Sequence, residues 1–440
     1  MGSPLKAGTT QSIITPRVGI DLSGFGRRPS ESTGVHEDLF ARALVLSNDD
    51  ADIALVTTDL IGLDLELCEI ITSGVTEQIG IPAGQIMLSS THTHSGPAAL
   101  NLRGLGNPDP VYLQAMCQKV IDAVVEAWQT REPARLGWGR CAAEMGMNRR
   151  EKTETGTHLG RNPGGVDLPY VDVLRVDRAD GAIMALWFAH AAHAVVFGQQ
   201  NTLISSDWPG AAVRVTAKRL GGDPVLMVSQ GCCGDINPPI VGGTPDDVER
   251  LGAIVGRAAA DAAENISTTG SPHLESVVSI IDLPQTSPPS RSEAQKELSR
   301  QQADRDAVYE KSESRLDRLF ADGLVEWAEE VAAVADDPGP FTTPFTEQTF
   351  AIGDGAVVGL SGEVFGAYTV EIEARSEFEQ TAVIAYTNGC VGYVPTVEAF
   401  DEGGYEVDNA FRYYGTLNLT SDAWELITSY ATRQLEMVNS

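Results

Sequence analysis

The chain alternates short apolar runs with polar, glycine-bearing loops. Seven runs have the length and β-branched content of buried strands: ADIALVT (51–57), QIML (85–88), VDVLRV (171–176), AIMALWF (182–188), PVLMVS (224–229), AVVGL (356–360) and AVIAY (382–386). Amphipathic helices lie between some of them. Asp109-Pro110 opens one with a cap followed by proline at the first helical position, and Leu113, Cys117, Val120, Val124 and Trp128 recur at helical spacing. Asp207-Trp208-Pro209 opens a second, which stops near Gly221-Gly222, and a third covers about 246–265. Strands mixed with helices throughout predict a mixed α/β fold, central β-sheets flanked by helices, as a single domain over 1–440. Residues 286–340 break the pattern, with dense charge, helical periodicity, a TSPP start and a DDPGP exit. They read as a helical hairpin inserted in the domain, a solvated surface insertion in preference to a lid or a homo-oligomer contact.

Composition narrows the partners. The chain has 440 residues and a formal net charge of −30, from 61 acidic against 31 basic residues. A field of that sign repels nucleic acid and anionic membrane surfaces, which leaves a small molecule as the expected partner. No run of about 18 apolar residues is present, so no membrane span is expected. The start, MGSPLKAGTTQSIITP, lacks the apolar core of a secretory signal. The six cysteines (Cys68, Cys117, Cys141, Cys232, Cys233 and Cys390) form no C-x-x-C pair. Reduced thiols in a cytoplasmic protein are therefore expected, and a four-cysteine zinc site is not.

The chemistry gathers where apolar runs feed polar loops. QIML leads into SSTHTHSGP (89–97), which holds two of the seven histidines one residue apart. Positions i and i+2 diverge on a helix but face the same way in a strand or extended loop. AIMALWF leads to His190 and His193, PVLMVS to QGCCGDINP (230–238), AVVGL to Ser361-Gly362-Glu363, and AVIAY to TNGCVGYVPT (387–396). Such loops are where sites sit in α/β folds. His92, His193 and Glu363 meet the requirement of a catalytic zinc site, two histidines and a carboxylate on separate elements with a position left open. Zinc there lowers the pKa of a bound water to about 7. A helical H-E-x-x-H, an H-x-H-x-D-H run and a G-x-S-x-G elbow are all absent.

Taken together these loops resemble the catalytic domain of the neutral/alkaline ceramidase family. THTHSGP resembles its first histidine loop and WFAHAAHAVVFGQQNTLISSDWPG its second. MGMNRR (145–150) resembles its Asn-Arg segment, SGE is similar to its Pro-Gly-Glu, and GYVPTVEAF…GGYEV resembles its paired-tyrosine segment. The resemblance runs from about residue 8 to 435. It implies a mixed α/β domain that hydrolyses an amide with a zinc-activated water. His92, His193 and Glu363 match the family's zinc ligands, with Tyr405 expected as the fourth and Tyr393 as donor to the oxyanion, or the reverse. His94 matches a substrate-contacting histidine that moves the leaving-group proton, and Arg149 a substrate-contacting arginine.

Two departures from the family modify the expectation. Ceramide-cleaving members carry Gly-Asp-Val-Ser-Pro where this chain has Gly234-Asp235-Ile236-Asn237-Pro238. Asn237 hydrogen-bonds but supplies neither nucleophile nor proton. The chain also stops where those members continue into a β-domain. With the charge, this predicts a soluble, non-membrane amide substrate. A zinc esterase or lactonase, a zinc lyase or epimerase, and a non-catalytic metal-binding protein are the alternatives. Elsewhere, His190 reads as a structural neighbour, Asp207 as a helix cap or a partner of a zinc histidine, Cys232 and Cys233 as buried small residues, and His36, His158 and His273 as solvent-exposed.

Overall fold

The computed structural model describes residues 3–415 and 417–439. Its first sheet contains β1 (Lys6–Ile13), β2 (Phe40–Ser47), β3 (Asp52–Thr58), β4 (Ile86–Ser90), β5 (Glu132–Ala142), β6 (Tyr170–Arg178), β7 (Ile183–His190) and β8 (Val225–Gln230). The strand order is β8-β7-β6-β5-β1-β2-β3-β4, antiparallel except for the parallel pairs β3–β4 and β7–β8 at its two edges. A second sheet has β9 (Leu274–Pro284), β10 (Thr342–Ile352), β11 (Gly355–Leu360) and β12 (Gln380–Ile384) in sequential order, with β11–β12 parallel. A buried layer built from Leu44, Leu55, Met87, Trp187 and Met227 of the first sheet and Phe350, Val357 and Ile384 of the second joins their facing surfaces.

Helices cover the outer faces. α1 (Leu65–Ile79) and α2 (Pro110–Gln129) pack on the β1–β4 half. α3 (Trp208–Leu220) and α4 (Pro245–Asn265) pack together over β6 and β7. The caps follow the sequence signals: Asp109 accepts from Val111 N and Tyr112 N ahead of Pro110, and Thr244 with Asp247 forms a capping box on α4. The predicted mixed α/β architecture of sheets flanked by helices is therefore found.

The segment 286–340 forms a helical hairpin, α5 (Arg291–Lys311) and α6 (Arg315–Val334). It differs from a surface insertion in one respect. α6 buries Trp327, Ala328 and Val331, and sends Phe320 toward the polar loops of the first sheet. Arg27 lies over the Phe320 ring at 4.9 Å, and Arg315 pairs with Asp21 and Glu31. Two further helices, α7 (Gly366–Arg375) and α8 (Ala423–Val438), complete the layer behind the second sheet. Among the described residues no helix is long and apolar enough to cross a membrane.

Candidate metal centre

The polar loops meet because the two sheets are pinned at adjacent strand ends. Single bridges join Ser89 to Thr387 and Gly231 to Ile384, so the loops after β4, β8 and β12 share one space. His92 leaves β4 with its backbone left-handed (φ 57°), an uncommon conformation outside glycine. His94 N then donates to Ala194 O at 3.1 Å, which ties this loop to the one holding His193. Glu363 follows β11 and pairs with Tyr393 through a two-residue parallel bridge. Gly234 is required here, since a Cβ would stand 2.3 Å from Glu363 O.

His92, His94 and His193 come together, with one ring nitrogen from each within 4.8 Å of the others. Two of them are fixed in the same way. His92 Nδ1 lies 2.6 Å from Ile61 O, and His193 Nδ1 lies 2.7 Å from Cys233 O. Carbonyls only accept, so both Nδ1 atoms carry a proton and both Nε2 atoms face inward. Glu363 Oε2 stands between them, 3.0 Å from His193 Nε2 and 3.3 Å from His92 Nε2. All three side chains are almost fully buried. His94 differs. Its Nε2 is 3.0 Å from His92 Nε2, while its buried Nδ1 has no partner among the described residues. It stands against Gly24, where a Cβ would come within 2.4 Å of Nδ1.

The electrostatics follow from burial. Burial drives His94 well below the usual histidine range, helped by the neighbouring imidazoles. Burial and Arg149 lower His193 to about 4. For Glu363 burial acts upward, but His92 and His193 overturn it and hold the carboxyl well below its usual range. The pocket thus presents two imidazole nitrogens and a carboxylate to one point. Those residues fit a divalent cation of the zinc class.

Around this core lie four tyrosines. Tyr393 Oη is 3.5 Å from His193 Nε2 and accepts from Arg149 Nη2 at 2.9 Å. Tyr386 Oη is 3.3 Å from Glu363 Oε2, and its ring stacks on His92 at 3.9 Å. Tyr414 donates to Glu363 Oε1. Tyr405 packs edge-on against Tyr393 with centroids 5.8 Å apart, and its hydroxyl bonds no member of the cluster among the described residues. Of the two tyrosines expected at the site, Tyr393 thus brings its hydroxyl beside the histidines, and Tyr405 stands behind it. Arg149 also donates to Asn237 Oδ1 (3.0 Å) and Glu406 Oε1 (2.9 Å).

Tyr386, Tyr414 and Glu406 were missed from sequence. Tyr386 ends the AVIAY run and so obeys the strand-end rule that flagged the others. Glu406 directly follows Tyr405. Tyr414 carries no sequence signal, because only the fold brings it to Glu363. His190 stays outside the cluster, with Nδ1 2.7 Å from Tyr170 O. Asp207 caps α3 and also accepts from Val196 N and Phe197 N, with no hydrogen bond to a histidine among the described residues. Burial pushes the Cys232 thiol up to about 12 and Cys233 also well up, so neither is a ready nucleophile. His158 and His273 are exposed, whereas His36 is half-buried against the Phe197 ring.

A cavity of about 350 Å³ opens over the cluster. His94, Arg149, His193, Asn237, Tyr393 and Tyr405 form its polar side, and Phe25, Leu105, Leu159, Val241 and Phe320 its apolar side. Phe320 comes from the hairpin, which is therefore part of the wall.

Known proteins share this fold. The family model described as neutral/alkaline non-lysosomal ceramidase, N-terminal, matches residues 6–281. The neutral ceramidase of Mycobacterium tuberculosis is 23% identical over 255 residues, 50% of this chain and 38% of that protein. Neutral ceramidase B of Dictyostelium discoideum is 24% identical over 262 residues, 52% of this chain and 34% of that protein. The matched stretch thus spans little more than a third of these relatives' length. The crystal structure of neutral ceramidase from Pseudomonas aeruginosa superposes with a TM-score of 0.74 at 19% identity, covering 99% of this chain and 75% of that one. The similarity to that structure establishes the fold, and the family match covers well over half of the sequence. The chain belongs to the neutral/alkaline non-lysosomal ceramidase family.

Proposed function

We propose that the chain hydrolyses the amide bond of an N-acylated amphiphile, with a zinc ion held by His92, His193 and Glu363. One observation carries this reading: both histidines donate their Nδ1 protons to carbonyls, at 2.6 and 2.7 Å, so that their free nitrogens converge on the Glu363 carboxylate. Ligating histidines are characteristically oriented by such a bond from the other ring nitrogen. Among the described residues His94 has no such bond, which supports the expectation that it stays off the metal. When bound, zinc supplies an activated water at neutral pH and polarises the carbonyl. The Tyr393 hydroxyl, accepting from Arg149, turns its own proton toward the cluster and the carbonyl to be attacked. Arg149 is held cationic by Tyr393 and Glu406 against the opposing effect of burial, and it stabilises negative charge beside them. To His94, whose Nδ1 has no hydrogen-bond partner among the described residues, we assign transfer of the leaving-group proton, against a burial that favours its neutral form.

The apolar side of the cavity alters the substrate expected from charge alone. Phe25, Leu105, Leu159, Val241 and Phe320 suit an acyl chain better than a wholly polar amide. The family's name supports the same class, an N-acyl lipid or a shorter analogue.

Metal analysis of protein purified without chelator tests the site. Wild type and His94→Ala retain about one zinc per chain, while His92→Ala and Glu363→Ala lose it. Retention by both of the latter variants sinks the assignment. A panel of N-acyl amides, esters and lactones tests the reaction, and turnover of esters or lactones alone overturns the amidase reading.

A further inference from the structure

The two ends of the Asn237 amide are chemically different, and the structure orients them. A guanidinium only donates. Arg149 Nη1 reaches the amide at 3.0 Å and so must meet Oδ1. Nδ2 is left pointing away from Arg149. No protein acceptor meets it among the described residues, and Asn237 lines the cavity beside His94, His193 and Tyr393.

Arg149 is not free to swing and release this orientation. Its Nε donates to Glu406 Oε1 at 2.9 Å and its Nη2 to Tyr393 Oη at 2.9 Å. The second oxygen of Glu406 accepts from Arg150 Nη1 at 2.8 Å. Glu406, Arg149 and Arg150 are all buried, and Arg149 N donates to Asp235 O at 2.8 Å. One carboxylate thus clamps two adjacent arginines, and one of these fixes the amide.

The geometry points to Asn237 as a hydrogen-bond donor to the substrate carbonyl through Nδ2–H, with Glu406 as the residue that positions Arg149 and, through it, the amide. This rests on the hydrolytic reading above and adds a specificity rule. The group facing Asn237 must accept a hydrogen bond, as an acyl oxygen does. An amine analogue, in which a methylene replaces the acyl carbonyl, leaves Nδ2 unpaired and binds more weakly.

Asn237→Asp separates donor from acceptor. The carboxylate keeps the bond from Arg149 but offers nothing to the cavity. With N-octanoylethanolamine as probe, kcat/KM falls roughly 10²–10³-fold, the loss seen when one oxyanion donor is removed. Zinc content and Tm stay at wild-type values. Asn237→Ser, which restores an O–H donor, exceeds Asn237→Ala by at least about tenfold, and this pair decides the matter if the aspartate variant does not fold. Glu406→Gln lowers kcat by roughly 10–100-fold with KM and zinc little changed. Wild-type kcat/KM in Asn237→Asp overturns the donor role, and so does equal activity of the Ser and Ala variants. Calorimetric binding of the same probe to chelator-treated protein distinguishes the two readings. If wild type never hydrolyses the probe but binds it about tenfold more tightly than Asn237→Asp does, the hydrolytic reading fails and the donor stands. If neither binding nor turnover differs, the donor fails alone.

Discussion

Glu347 is the buried group whose removal has the clearest expected effect on stability. It sits within β10, 0% exposed, and neither carboxyl oxygen has a hydrogen-bond partner among the described residues. Burial pushes the carboxyl well above its usual range. The folded chain therefore keeps this proton at pH values where the unfolded chain, titrating near 4.3, has released it. With more protons bound in the folded state, stability falls as pH rises. The contribution is complete below the unfolded value and is lost as pH climbs through the folded one, at up to about 1.4 kcal/mol per pH unit. Glu347→Met keeps a straight side chain of similar volume and removes both titration and orphaned oxygens. The unpaired polar group costs about 1–3 kcal/mol. The variant is thus expected to exceed wild type by that amount plus the share of the linkage already lost at pH 5, with a gap that widens toward pH 8. Urea denaturation followed by tryptophan fluorescence at pH 5, 6, 7 and 8 reads both terms. A gap independent of pH, or a variant weaker at every pH, refutes the reasoning.

Other expectations follow from the site and its supports. Tyr393→Phe lowers kcat by roughly 10²-fold, since it removes the hydroxyl held by Arg149, while Tyr405→Phe costs less than about tenfold; steady-state kinetics on one N-acyl amide compares them. Phe320→Ala removes part of the cavity wall and raises the ratio of kcat/KM for a sixteen-carbon over an eight-carbon acyl amide several-fold, at up to about 0.8 kcal/mol per newly buried methylene. An unchanged ratio means the hairpin does not gauge the chain. Asp59→Asn leaves the buried Arg42 guanidinium, 3.0 Å away, without its counter-charge, and lowers stability by about 3–5 kcal/mol in urea denaturation.

The residues of the centre were legible because strand ends announce themselves. QIML, AIMALWF and AVVGL are apolar enough to be read as strands, and each runs directly into His92, His193 or Glu363. β1 and β10 were not legible. KAGTTQSI and TTPFTEQTFAI are too polar to look buried, yet tertiary partners satisfy them: Gln348 Nε2 donates to Gly84 O at 2.8 Å, and Thr349 Oγ1 to Gln434 Oε1 at 2.8 Å. The hairpin showed its helices in its periodicity but not its seat, because the Phe320 contact depends on loops some 200 to 300 positions earlier in the chain. The surroundings of Tyr393 and Tyr405 also waited for the structure, because only the fold brings Arg149 to the Tyr393 hydroxyl.

The dispersal of the centre along the chain links it to folding as a whole. His193 and Glu363 are 170 positions apart, and Tyr414 lies another 51 beyond Glu363. No autonomous segment carries the donor set, so nascent or fragmented chains offer a cation only isolated side chains. A cation that binds the assembled centre at a thousandfold excess over its Kd adds about 4 kcal/mol to global stability, all of it withheld until both sheets have docked. Metal occupancy would then serve as a proofreading mark, carried only by molecules whose two sheets have closed on one another.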